Sequence, residues 1–140
     1  MKYRTAEASL SVSPPGSAEA KQESIEGALG VPAASRMIEL MEIAAARLMR
    51  ARLRDGETSV AVSMNVTYAA PNLRRSPGGT MRAVALDNGI SGRLHRFKIN
   101  AFDESGLIGT AEHTRAVVIE RRLVSIARQR AAEPGMLVMM

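Results

Sequence analysis

The chain has no cysteine and no tryptophan, and only two tyrosines and two phenylalanines among its 140 residues. Without cysteine there is no disulfide, no thiolate nucleophile and no Cys-based metal site. His95 and His113 stand 18 positions apart, which is not the spacing of a zinc motif. No stretch approaches the ~20 apolar residues that a membrane helix needs, and the apolar tail Met136–Met140 is far too short. The start of the chain carries no apolar segment of signal-peptide length. A cytoplasmic protein without a membrane partner is therefore expected. With so few aromatics, the core must be aliphatic and rich in the nine methionines. Methionine packs flexibly and also lines adaptable pockets.

At 140 residues the chain can form one domain with a real core. Its net charge of +5 favours an anionic partner. The arginines are scattered, however, and no aromatic residues interleave with them to stack bases. Nucleic acid is therefore not the expected partner. A phosphate-bearing small molecule such as a coenzyme suits the charge as well.

Residues 5–12 alternate weakly and read as a strand, which Ser13-Pro-Pro-Gly-Ser17 breaks. A short helix is expected over 18–29, then a long one over about 34–53. Residues 57–70 alternate with period two and put Val60, Val62, Met64 and Val66 on one face. Further strands are expected at about 80–87, 93–103 and 107–120, with turns at Asp87-Asn-Gly89 and Ser105-Gly106. A basic amphipathic helix over 121–131 and a loose tail complete the chain. One helix followed by a run of antiparallel strands must cover one sheet face. The simplest arrangement wraps the sheet around the helix. A single helix cannot cover a wide sheet, so dimerisation is expected.

Within the long helix, Met37, Ile38, Met41, Ala44, Ala45, Leu48 and Met49 form an apolar stripe. Arg36, Glu39, Arg47 and Arg50 lie opposite. Glu42 belongs to neither set. A carboxylate held against apolar surface needs a partner or a chemical task, because desolvating its charge is costly. The bland alternative is a border carboxylate that curls out to water. His95, among Arg93, Arg96 and Lys98, reads as solvated, and His113 reads as a structural hydrogen-bonding residue.

Four segments, in order, resemble the fluoroacetyl-CoA thioesterase-like branch of the hotdog-fold thioesterases. They are Val31-Pro-Ala-Ala-Ser-Arg-Met-Ile-Glu-Leu-Met-Glu-Ile-Ala-Ala45, the strand Gly56 to Tyr68, the turn Ser76-Pro-Gly-Gly79 and the closing segment Asp103 to Val118. The resemblance covers about residues 5–122. It implies an α+β hotdog domain over 1–122, with a long central helix wrapped by a curved antiparallel sheet of about five strands. Residues 123–140 would then be a basic helix and loose tail. It also implies a thioester hydrolase acting on a small or medium acyl-CoA at a homodimer interface, with a tetramer as a further assembly. No cofactor is implied beyond the coenzyme A of the substrate.

The same resemblance assigns residues. The family's catalytic glutamate falls on Glu42, as base or nucleophile. The threonine's place falls on Ala34, with Ser35 one position later, where capping is the commoner role. The histidine's place falls on Tyr68, a poor general base at neutral pH. Ala61 stands where a small residue lies against the acyl group, and Ala34 and His113, which matches a histidine of the closing segment, are placed with it as substrate-binding residues. Outside that pattern, Arg74 and Arg75 lengthen a loop relative to the family; they are either solvated or offer forked donors to coenzyme phosphates. Because Ala34 and Tyr68 depart from the pattern, a non-hydrolytic acyl-CoA or acyl-carrier binding protein stands as the alternative. An unrelated use of the basic surface is a third class.

Overall fold

The computed structural model describes residues 5–11, 34–69 and 80–133. The elements run β1 (Thr5–Ser11), α1 (Ala34–Arg50), β2 (Glu57–Tyr68), β3 (Thr80–Ser91), β4 (Leu94–Asp103), β5 (Gly106–Ile119) and α2 (Glu120–Ala132). The helix expected over 18–29, the loop with Arg74 and Arg75, and the tail lie outside the described residues. The strands form one sheet in the order β1-β3-β4-β5-β2, every pair antiparallel. β2 therefore comes early in the chain but pairs with the last strand and forms an edge.

The local chemistry explains the connections. At the β4–β5 turn Gly106 has φ +131°, and the Asp103 carboxylate accepts hydrogen bonds from the backbone N–H of Ser105 and Gly106 at 2.7 and 3.0 Å. The Asp87-Asn-Gly89 turn signal does not end its strand. β3 continues to Ser91, and the signal instead marks a register shift between Asp87 and Ile90. Asp87 accepts from the Gly89 N–H at 3.1 Å, which closes a local turn inside the hairpin arm. The chain reverses afterwards at Gly92, φ +61°.

The helix corrects the expectation of a long central element. α1 has 17 residues and ends at Arg50, so 51–53 lie outside it. Arg47 and Arg50 occupy its last turn, where the helix dipole favours cations. It packs mainly on β1 and β3, less on β4, and least on β2 and β5. Its buried stripe is Met37, Leu40, Met41, Ala44, Ala45, Leu48 and Met49, so Leu40 takes the place expected for the half-buried Ile38. Opposite this stripe lie Ala8, Ala83, Ala85 and Ala101, together with Met81, Phe97 and Ile99. Small residues on the sheet let large ones on the helix interdigitate closely. Gly109 on β5 is the tightest case: an added Cβ would run into the Met37 side chain and lie 3.1 Å from the Thr67 carbonyl oxygen.

β2 also differs from simple alternation. Its register against β5 shifts between Ala61 and Ser63, so Val62 is an extra residue in a β-bulge. Before the bulge Ser59 and Ala61 share a face with Val117 and Arg115; after it Met64 shares that face with His113. The four residues Val60, Val62, Met64 and Val66 thus do not share one face, and Val62 is 54% exposed. α2 continues directly from β5, its Glu120 N–H donating to the Gly56 carbonyl at 2.9 Å, and it has no buried residue. Among the described residues no helix is long and apolar enough to cross a membrane.

Candidate functional site

Polar groups gather on the helix-facing side of β4 and β5. Cross-strand pairing sets His95 opposite Arg115 and Phe97 opposite His113. On the next strand, Ala61 lies opposite Arg115 and Met64 opposite His113. His113 is 1% exposed and Arg115 8%. Burying a cation requires compensating hydrogen bonds, and β2 supplies them. Arg115 Nε donates to Ser59 Oγ and Nη2 to the Ser59 carbonyl, both at 3.1 Å. Its Nη1 lies 3.3 Å from His113 Nε2. His113 Nδ1 lies 2.8 Å from the Ser63 carbonyl oxygen. A carbonyl only accepts, so Nδ1 carries the hydrogen and Nε2 is the lone pair that receives Arg115. The arrangement depends on the β2 bulge, which sets Ser63 beside the histidine.

Glu42 stands on α1 within electrostatic reach of this pair. It is half-buried, between the fully buried Met41 and the exposed Ile43. Its negative charge favours the protonated forms of both His113 and Arg115. Neither group is governed by that charge alone. Burial pushes the His113 pKa below its ordinary value; the Ser63 carbonyl opposes the shift, Arg115 adds to it and Glu42 opposes it. Burial likewise lowers Arg115, with Glu42 opposing. Among the described residues Arg115 has no carboxylate within ion-pair distance, and Glu42 has no hydrogen-bond partner. The result is a buried cation and a half-buried carboxylate in electrostatic reach of each other, but not locked together.

His95 corrects the reading of it as solvated. It is 9% exposed, because the alternation His95-Arg96-Phe97-Lys98-Ile99 turns it inward with Phe97 and Ile99. Arg52, just beyond α1, donates from Nη1 to His95 Nδ1 at 2.8 Å and from Nη2 to Asp87 Oδ2 at 2.7 Å. Its guanidinium also lies 5.7 Å from the centroid of the Phe97 ring. Burial lowers the His95 pKa, Arg52 lowers it further and Asp87 opposes. This cluster ties the end of α1 to the β3–β4 hairpin.

The other assigned residues are placed as follows. Ser35 is exposed in the first turn of α1, seven positions before Glu42 and so on the same side, about 10 Å along the axis. Ala34 is the first residue of that helix. Ala61 is exposed on β2, beside the bulge and opposite Arg115. Tyr68 ends β2, half-buried and packed against the core. Arg74 and Arg75 are outside the described residues. Glu42, Ala61 and His113 thus border one region, with Tyr68 at the end of the same strand. The sequence sets Arg115 on the same strand face as His113 but gives it no role, and it does not single out Ser59, which holds Arg115, or Ser63, which holds His113. The signal available was His113 and Arg115, two polar residues at strand spacing on a face that otherwise carries Gly109, Ala111 and Val117. Among the described residues no three His, Cys, Asp or Glu side chains group as metal ligands do.

A five-stranded antiparallel sheet in this order, with α1 laid on it, has the architecture of the hotdog fold of the thioesterase superfamily. A hot-dog-like protein from Thermanaerovibrio acidaminovorans superposes with a TM-score of 0.73 at 22% identity, over 92% of this chain and 90% of that one. The family model described as fluoroacetyl-CoA-specific thioesterase matches residues 16–121, and the chain belongs to this family. It is 32% identical over 94 residues to the fluoroacetyl-CoA thioesterase of Streptantibioticus cattleyicolor, a match that spans 67% of this chain and 66% of that protein's length. A crystal structure of fluoroacetyl-CoA thioesterase superposes with a TM-score of 0.77 at 29% identity, covering 93% and 97% of the two chains. A variant of that enzyme has been crystallised with fluoroacetate and CoA.

Proposed function

We propose that the protein is an acyl-CoA thioesterase in which Glu42 is the base or nucleophile. The observation that carries this reading is Glu42 itself: a half-buried carboxylate beside the Arg115–His113 pair, at the open side of the sheet. Family membership supplies the substrate class. In one route, Glu42 takes a proton from water as the water oxygen attacks the thioester carbonyl, and the tetrahedral intermediate expels the CoA thiolate. The thiolate then receives that proton from Glu42. In the other, the Glu42 carboxylate attacks, CoA thiolate leaves, and water hydrolyses the resulting anhydride. Either route develops an oxyanion. A bulge leaves its extra residue outside the ladder, so the backbone N–H at Val62, next to Ala61, is a fitting donor.

The site is read as lying between two copies. The helix-facing residues Ala61, Met64, Val66 and Tyr68 are only partly covered by α1, and a second copy meeting the β2 edge would close the region around Glu42. Ser35 and Tyr68 then orient water or thioester, and Arg74 and Arg75 meet coenzyme phosphates. Neutralising both arginines is expected to raise KM for CoA esters; an unchanged KM removes them from the reading. Coenzyme A thioesters are intracellular metabolites, which puts the activity in the cytoplasm.

The alternative of a non-hydrolytic acyl-CoA binder is favoured by two residues: Ala34 and Tyr68 at the places where the family resemblance puts threonine and histidine. One assay separates the two. CoA release is measured with acetyl-, isobutyryl-, benzoyl- and palmitoyl-CoA, with Glu42→Ala in parallel. Turnover on at least one ester that falls by about 100-fold or more in the variant supports the hydrolase. Binding of CoA esters without turnover supports the binder.

A further inference from the structure

His113 is almost fully buried, yet neither nitrogen is free to contact a substrate: Nδ1 is engaged by the Ser63 carbonyl and Nε2 by Arg115. Its chemistry is therefore directed at Arg115. The guanidinium has five N–H groups in a rigid plane. Three are held, one each by Ser59 Oγ, the Ser59 carbonyl and His113 Nε2. Ser59 alone would leave the plane able to tilt about its Nε–Nη2 edge. The contact from His113, on the far side, fixes the tilt. That contact exists only for the tautomer with hydrogen on Nδ1, and the Ser63 carbonyl beside the β2 bulge selects it.

We infer that His113 is a positioning residue: held in one tautomer by the Ser63 carbonyl, it uses its Nε2 lone pair to fix the buried Arg115 guanidinium in one orientation beside Glu42. The charged and polar groups facing it come from every neighbouring element. They are Glu42 on α1, the Ser63 carbonyl on β2 and Arg115 on its own strand, while β4 presents the apolar Phe97 ring, its centroid 6.4 Å away. His95 lies opposite Arg115, with Arg52 and Asp87 behind it. Protonating His113 removes the lone pair and sets a second cation against the guanidinium.

The kinetic part of the test rests on the hydrolase reading; the spectroscopic part does not. In the ¹⁵N NMR spectrum of the whole protein at neutral pH, His113 is expected as the neutral tautomer with hydrogen on Nδ1, and the Arg115 Nε–H as protected from exchange. In His113→Leu that protection is expected to be lost. With the ester turned over fastest in the panel, His113→Leu is expected to lose about tenfold or more in kcat/KM, the loss typical of a hydrogen bond to a charged group. His113→Gln, whose amide oxygen can accept from Arg115, is expected to recover part of that loss. A hydrogen on Nε2, or Leu and Gln variants equal in Arg115 protection, would overturn the inference. If no ester is turned over but the tautomer and the protection are as expected, the hydrolase reading fails and the positioning role stands. If a variant does not fold, the wild-type tautomer and protection still decide.

Discussion

The two halves of the sheet are built to different rules. Under α1, the β1–β3 half and its border with β4 present alanines and large apolar side chains that are essentially sealed: Ala8, Ala83, Ala85, Ala101, Met81 and Ile99 are all at most 1% exposed. On the β5–β2 half, the same face carries His113, Arg115 and Ser59, and its outer strand is half-open. The helix is too narrow for both halves and sits on one. Close packing of small against large stabilises the first half. The second keeps buried polar groups that demand partners and leaves space beside them. Stability and chemistry are thus separated across the width of one sheet, and on α1 the fully buried Met41 is followed directly by Glu42, whose charge reaches the His113–Arg115 pair.

The largest effect should come from the sealed half. Leu40→Ala, at a residue 1% exposed, removes a core side chain from the helix–sheet contact. A loss of about 2–5 kcal/mol is expected from the transfer and cavity terms together, measured by urea unfolding. A loss below 1 kcal/mol would break the comparison, because it would mean that α1 is not what holds the sheet. Gly109→Ala comes next. It lies where the halves meet, and its new methyl must displace the Met37 side chain while crowding the Thr67 carbonyl. Met37 is flexible, so about 1–3 kcal/mol is expected for overpacking.

Much of the sealed half was legible in the sequence. Helical spacing picked out six of the seven buried helix residues, and alternation placed all five strands. The errors have physical causes. Leu40 and Ile38 exchanged roles because the helix sits to one side of the sheet, which periodicity does not report. The misread face of β2 followed from a bulge at Val62, whose register depends on β5 rather than on local residues. The turn signal at Asp87 was real, but tertiary partners carried the strand past it. In the candidate site Glu42 stood out because a carboxylate interrupted an apolar edge. His95 was misread because its charged neighbours were weighed above its alternation with Phe97 and Ile99. Arg115 shows in the sequence only as a neighbour of His113 on one strand face, because the hydrogen bonds that make its burial tolerable come from a strand more than fifty residues earlier.

Acid should act on the polar half. His95 and His113 both have pKa values pushed below the ordinary 6.5, chiefly by burial. The unfolded chain therefore takes up protons as the pH drops through the ordinary histidine range while the folded protein resists. Their contribution to stability is complete above that range, is lost as pH falls through it, and levels off below the folded values. Urea midpoints measured from pH 8 to pH 5 should decline. Replacing His113 by Gln should make the decline shallower, and an unchanged slope would show that the histidine is not held neutral by its burial.

The smallest effect on the fold, and the sharpest on assembly, is expected at the open edge. Val62 is the bulged residue of β2, 54% exposed and outside the packed core. Val62→Lys should change folding stability by no more than about 0.5 kcal/mol, as surface substitutions usually do. Lysine on an edge strand disfavours pairing with another chain, because its charge must be desolvated there. If a second copy covers this half, sedimentation should show a dimer for the wild-type protein and a monomer for the variant at the same concentration. Acyl-CoA turnover should then fall with the dimer although Glu42, His113 and Arg115 are untouched. A wild-type protein that sediments as a monomer while hydrolysing acyl-CoA would instead mean that one copy completes its own site, and that the openness of β2 serves substrate entry rather than a partner.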